Sequence, residues 1–379
     1  MMTRRAAIIA VTVFAVLALA CPALAATFEE YMDYGLEAAL RVDFKKAAAS
    51  FRLAVEADHD SPEARFRLGL AYRELGMLTE SADQLQHAIR LKGDHMDAYI
   101  NLGSLFQQMD RRKDAIRVLE DGLNIDPDNA ALHYNLGSAL EKDGRDPEAL
   151  EHFIRVTGIA PDFPDAWHRA GVIYGRLDQP GEAIQCYRRA LELDPGMEAS
   201  LFNLGAALGA TGDWKGEVEV YEQLLEKHPD LGLAWYNMGV ALWNLGNIDR
   251  ARKAFETSVK ADPQYPFAWN NLAQCQIKAG EYEKAVENAR KAAGLEPGFV
   301  GAWNTLGLAL TGAGDHGDAI NAFDKALELK PDYPNSRFGL GIALALSGDM
   351  EAARAQVTEL RRLNSPLADE LETRLKGAQ

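Results

Sequence analysis

Between Phe28 and Leu367 apolar residues recur at three- and four-residue spacing, as in Trp235, Met238, Gly239 and Leu242, and the runs are punctuated by glycine and proline. That spacing collects apolar side chains on one face of an α-helix. The runs are also copies of one another. Gly35, Gly69, Gly103, Gly137, Gly171, Gly205, Gly239, Gly307 and Gly341 fall on one 34-residue grid, with Ala273 in the single gap. A second series holds Ala47, Ala115, Ala149, Ala183, Ala251, Ala285, Ala319 and Ala353, with Ser81 and Glu217 as exceptions. Pro127, Pro161, Pro195, Pro229, Pro263, Pro297 and Pro331 form a third, and Gly76, Gly144, Gly212, Gly246, Gly280, Gly314 and Gly348 a fourth. No insertion breaks the register across ten copies.

Each series has a structural meaning. A glycine inside a helix costs about 1 kcal/mol relative to alanine, so the first series implies that a missing side chain admits something from a neighbouring helix. The alanine series is expected to supply the small facing residue on the second helix. The fourth series suits the left-handed position that ends the first helix. The prolines, mostly after Asp or Glu, stop the second helix and lead into the next unit. The pattern predicts helix, tight turn and antiparallel helix, ten times over: an all-α solenoid.

The quartet Trp167, Ala170-Gly171 and Tyr174, followed by Ala183, Tyr187, Ala190 and Pro195, resembles the tetratricopeptide repeat signature. The resemblance spans about nine tenths of the chain. It implies a right-handed superhelix whose first helices (the A helices) line a concave, polypeptide-binding surface. The outermost copies depart from the pattern, with His59 in place of the proline and Arg337 in the aromatic place. Residues 366–379 carry Glu370, Glu372, Arg374 and Lys376 and read as a solvating helix over the end of the stack.

The first 25 residues have a different character. Met1-Met2-Thr3-Arg4-Arg5 is a basic start, Ala6 to Ala20 is apolar, and Ala23-Leu24-Ala25 is a small-x-small cleavage pattern, so the segment reads as a signal peptide cleaved before Ala26. Leu17-Ala18-Leu19-Ala20-Cys21 also resembles a lipobox, with Ala18 where leucine is preferred; acylation of Cys21, an envelope lipoprotein, is the alternative. Both routes export the chain, to the periplasm or beyond. The apolar run is shorter than the roughly 20 residues a spanning helix needs.

Charge narrows the functional classes. The net charge is −16, and loss of Arg4 and Arg5 makes it −18, which disfavours a nucleic-acid partner. Cys186 and Cys275, three repeats apart, are expected to be free thiols. The eight histidines form no paired metal spacing, and GxSxG, HExxH, CxxCH and GxxxxGK[ST] are all missing. Ten repeats leave no stretch for a catalytic domain, so the chain reads as non-enzymatic, with no cofactor and no metal.

Two features mark the inner face. Asn101, Asn135, Asn203, Asn237 and Asn271 share one phase, two residues before the A-helix glycine. The pattern is similar to the asparagine ladder of O-linked N-acetylglucosamine transferases, where the amides engage a peptide backbone; an amide pairs with both N–H and C=O. Asp33, Arg67, Arg169, Thr305 and Gly339 break it, and asparagines bonded to neighbouring helices remain the other reading. Secondly, Phe202, Tyr236, Val240, Trp243 and Phe267 project inward from three successive repeats, beside the small Ala206, Gly209 and Ala210. Aromatic anchors flanked by space suit a peptide hot spot, the alternative being packing between repeats. The expected role is an exported scaffold for an extended or helical partner segment, in envelope assembly, secretion or surface-polymer export. A self-assembling protein, in which the C-terminal helix of one copy enters the groove of another, and an accessory subunit that positions substrate for a separate enzyme are the alternatives.

Overall fold

A computed structural model describes residues 27–377. The proposed signal segment, with Cys21, and the last two residues lie outside the described residues. Every regular element described is a helix. In chain order they are α1 (Phe28–Leu40), α2 (Phe44–Ala57), α3 (Pro62–Glu74), α4 (Leu78–Leu91), α5 (Met96–Gln108), α6 (Arg112–Ile125), α7 (Ala130–Lys142), α8 (Asp146–Ile159), α9 (Pro164–Arg176) and α10 (Pro180–Leu193). Then follow α11 (Glu198–Ala210), α12 (Trp214–Lys227), α13 (Gly232–Asn244), α14 (Ile248–Ala261), α15 (Pro266–Lys278), α16 (Tyr282–Leu295), α17 (Val300–Ala313), α18 (His316–Leu329), α19 (Pro334–Leu346), α20 (Met350–Arg362) and α21 (Leu367–Gly377). Odd-numbered helices up to α19 are the first, or A, helices of the ten pairs.

The chain divides into two compact units after Ile173. In the first, α1 to α8 pack each on the next; in the second, α10 to α21 do. A helices also touch the A helix of the next pair, as α5 does α7 and α15 does α17, whereas among the described residues of either unit no two even-numbered helices pack comparably. Closer spacing on the A side makes that the inner face within each unit.

The A-helix glycines admit large side chains rather than facing the alanines. A Cβ at Gly239 would stand 2.6 Å from the Phe255 ring; Gly205 stands likewise against Tyr221, Gly307 against Phe323 and Gly103 against Leu119. Each intruder lies 16 residues on, in the paired second helix. Burying a phenyl ring contributes about 2–3 kcal/mol, which outweighs the helix-propensity cost of the glycine. Where Ala273 replaces the glycine, the residue 16 positions later is Ala289, fully buried. Small and large exchange together.

The turns after the A helices follow the glycine series. Gly76, Gly144, Gly212, Gly246, Gly280, Gly314 and Gly348 all have positive φ, between 75° and 95°. Val42, Asp110 and Asp178 take up the same left-handed conformation in the copies that lack glycine. The closing bond is constant: Met77 N–H donates to the Tyr72 carbonyl, Asn247 to Leu242 and Asp315 to Leu310, all at 2.9 Å.

The signature aromatic position ties successive units. Trp235, Trp269 and Trp303 donate their indole N–H to the carbonyls of Pro229, Pro263 and Pro297 at 2.9–3.0 Å. Arg337 donates to Pro331 O at 2.8 Å, and Arg65 to His59 O at 3.1 Å. Arginine therefore makes the same tie in outer copies that lack the aromatic. Beyond the last pair, α21 packs on α19 and α20, and Leu371 occupies the space above Gly341.

Cys186 and Cys275 are buried and unbridged. Burial pushes their thiols up to about 11 and about 12, so both are protonated and inert at neutral pH.

Candidate peptide-binding face

On α13, Tyr236, Val240 and Trp243 stand at i, i+4 and i+7, one stripe about 10 Å long. All three are half-buried, their inner sides packed on the core of the second unit and their outer sides in solvent. Phe202 and Ala206 begin the equivalent stripe on α11, with Gly209 in the place of Trp243. The rings form a connected surface. Tyr236 meets Tyr265 edge-on at 5.0 Å between centroids, Tyr265 meets Phe267 at 5.4 Å, and Phe267 meets Phe299 at 4.8 Å. Phe267 is 40% exposed. Lys278 holds its ammonium 4.9 Å from the Trp243 ring centroid.

Tyr265, Phe299 and Lys278 were not singled out in the sequence. Tyr265 and Phe299 are the N-cap residues of α15 and α17, in a turn phase where apolar residues recur, and this was the available signal. Tyr265 covers part of Tyr236, which is accordingly less open than its phase predicts. Burial raises the Tyr236 hydroxyl above its ordinary range.

The ladder asparagines have partners within the chain. In the first unit, Asn101 Nδ2 donates to Asp97 O at 2.8 Å while its Oδ1 accepts from Arg73 at 2.9 Å, and Asn135 Nδ2 donates to Ala131 O at 2.8 Å. In the second, Asn237 Nδ2 donates to the Tyr221 hydroxyl at 3.0 Å, and Asn271, near the Tyr236 hydroxyl, accepts from Asn270 at 3.0 Å. Asn203 is half-buried on α11. An amide has two donors and two acceptor lone pairs, so Asn237 keeps a donor and its acceptor for another group. The gaps have causes too. Arg67 pairs with Glu63 at 2.6 Å, Arg169 with Glu141 at 3.0 Å, Thr305 is buried, and a Cβ at Gly339 would stand 2.4 Å from Phe323.

The two exceptions in the alanine series behave oppositely. Ser81, fully buried, donates its hydroxyl to Gly69 O at 2.7 Å. Glu217 on α12 is 5% exposed, and its Oε2 has no hydrogen-bond partner among the described residues. A Cβ at Gly209 would lie 2.6 Å from that oxygen. Burial alone pushes the Glu217 carboxyl up to about 7.

Models described as "Tetratricopeptide repeat" match residues 38–95, 236–298 and 304–366, and further models of that description match 106–170, 164–197 and 199–231. The chain belongs to the tetratricopeptide repeat family. Comparison with curated proteins returns no match. Among solved structures, the chain is similar to YrrB, "a TPR protein with an unusual peptide-binding site", at 22% identity over 49% of this chain and 96% of that one, with a TM-score of 0.47. A MamA fragment from Desulfovibrio magneticus RS-1 matches at 19% identity over 46% of this chain and 99% of that one, TM-score 0.42. Cut9, from the APC/C Cut9–Hcn1 hetero-tetramer, matches at 13% identity over 93% and 96%, TM-score 0.49.

Elsewhere the tetratricopeptide repeats show mostly self-paired charge. Toward the N-terminal end, Arg73 bonds Glu74 and Asn101, and Glu63 meets His95 at 3.8 Å as well as Arg67. A shallow cleft lined by Glu222, Trp235, Met238, Leu242, Arg250 and Lys253 lies toward the second-helix side of α13, away from the aromatic stripe, with Glu222 and Arg250 paired across it.

Proposed function

We propose that this protein is an exported, non-enzymatic scaffold that holds an extended or helical segment of a partner protein along α11, α13 and α15. The family membership itself makes the chain a protein-interaction scaffold. The observation that carries the finer reading is the stripe Tyr236, Val240 and Trp243 with exposed Phe267 beside it, an apolar surface on the inner side of the second unit that the described chain leaves partly open. Export rests on Arg4-Arg5, the apolar run after them and Ala23-Leu24-Ala25; service in envelope assembly, secretion or surface-polymer export is the matching context. Among the described residues, no helix is long and apolar enough to cross a membrane. Self-assembly through the C-terminal helix draws less support, because α21 is seated on its own chain with Leu371 and Leu375 buried.

A pull-down from envelope extract tests the reading, with intact protein compared against Trp243→Ala and against the Asn203/Asn237/Asn271 triple alanine variant. A half-buried anchor contributes about 2 kcal/mol to binding, so Trp243→Ala is expected to reduce capture roughly 30-fold in affinity while barely moving Tm. Unchanged capture combined with a large fall in Tm would make Trp243 a packing residue and end the proposal.

A further inference from the structure

Four side-chain atoms among the described residues are buried without a hydrogen-bond partner: Glu217 Oε2, Arg252 Nε, Asn270 Oδ1 and His316 Nδ1. Glu217 is the carboxylate of this set, and it stands where eight other copies have alanine. Its position relative to the inner face follows from the repeat. On α13 the inner stripe is Tyr236, Val240 and Trp243; 34 residues earlier, on α11, the same three places are Phe202, Ala206 and Gly209. On α11 no indole fills that place, and the Glu217 carboxyl, reaching across from α12, takes up its base against the Gly209 backbone. Ala206 and Ala210 are exposed, so no side chain longer than a methyl stands on that part of α11.

We propose that Glu217 is the floor of a subsite for a cationic side chain, lysine or arginine, of the bound polypeptide. This rests on the peptide-binding reading of the same face. A buried carboxyl without a partner is a cost to the free protein, and an incoming ammonium or guanidinium supplies the missing charge-assisted hydrogen bond. Among the described residues nothing hydrogen-bonds its Oε2, and burial is what raises the carboxyl. The Phe202 ring, two turns earlier on α11, suits the aliphatic stem of such a side chain. The net charge of −16 favours a basic partner at longer range as well.

The test uses a random peptide library displayed on phage, selected on residues 26–379 of the intact chain, and polarisation measurements on the selected peptides. Selected sequences are expected to carry a Lys or Arg at constant spacing from an apolar residue. Replacing that Lys with norleucine, or Arg with citrulline, is expected to weaken binding at least about tenfold on the wild-type protein and less than about twofold on Glu217→Gln, the signature of a direct pair. Circular dichroism checks that Glu217→Gln, an isosteric change, retains the helical fold. Peptides that lose affinity on Trp243→Ala but show no basic preference, or equal norleucine losses on both proteins, overturn the cation subsite and leave the groove standing. Failure to select any peptide, or selected peptides indifferent to Trp243→Ala, overturns both.

Discussion

Glu217→Gln separates a buried neutral acid from an ordinary surface carboxylate in the free protein. The native carboxyl is pushed up to about 7 by burial, whereas a glutamate in an unfolded chain titrates near 4.3. Below pH 4 both states hold the proton and the side chain is pH-neutral in its effect. Between roughly pH 4.3 and 7 the unfolded state releases the proton and the native state keeps it, so stability falls as pH rises. Above pH 7 the native carboxyl ionises too and the loss levels off. The full difference is at most about 4 kcal/mol. Glutamine has the same shape and fits the space above Gly209, but it has no proton to lose.

The variant is therefore expected to gain on the wild type by about 3 kcal/mol between pH 4 and pH 8, whatever constant offset its amide adds. Because repeat arrays open piecewise, the cleaner assay is local. Hydrogen exchange at the amides of α11 and α12 is expected to show an opening constant in the wild type that rises about 200-fold relative to the variant over that range. If opening were global, the same energy is worth about 4 °C in Tm for a chain of this length. Parallel pH profiles for the two proteins would mean that the carboxyl is solvated and ionised at neutral pH, and the account of its burial would fail.

Val42 is β-branched, 70% exposed and held at φ 60°. Val42→Gly is expected to stabilise the first pair by about 1 kcal/mol in urea unfolding, since the relief of left-handed strain exceeds the added chain entropy. His133 and His152 share a 2.8 Å Nδ1–Nδ1 contact, and burial together with His133 lowers the His152 pKa. As pH falls below about 6.5 the unfolded chain takes up a proton that the native imidazole refuses, so stability declines; His152→Gln, in a Glu217→Gln background that removes the opposite slope, is expected to flatten urea midpoints between pH 7 and 5. Ala289→Phe alone is expected to destabilise α15 and α16 by about 2 kcal/mol through overpacking against Ala273, and Ala273→Gly to restore most of it in a double-mutant cycle, since that pair reproduces Gly239 with Phe255. Additive losses would break the proposed exchange of small for large.

What the sequence revealed and what it withheld follow from one property of a repeat: a fixed phase announces that a place is special without saying what meets it there. The glycine grid required open space inside the A helices, and the all-helical paired architecture follows from it. The occupants of that space are not the alanines of the second series but the rings of Phe255, Tyr221 and Phe323, which lie 16 residues away on another helix where no local rule links them. Only the gap carried the information, since Ala273 and Ala289 are small together. The turn glycines were legible because left-handed geometry has a residue signature of its own, and Val42 shows the architecture imposing that geometry on a residue that resists it. On the inner face, phase located Trp243, but Tyr236 is partly covered by Tyr265, which reaches it from the turn before α15 rather than from any inward-facing position. Glu217 was visible as an exception in the series, as Ser81 was. One is answered by a backbone carbonyl and the other by nothing, and that difference depends on Gly209 standing opposite, where the adjacent copy has an indole. In an array whose copies share one plan, the departures that the fold does not itself satisfy are the places where a second molecule has something to contribute.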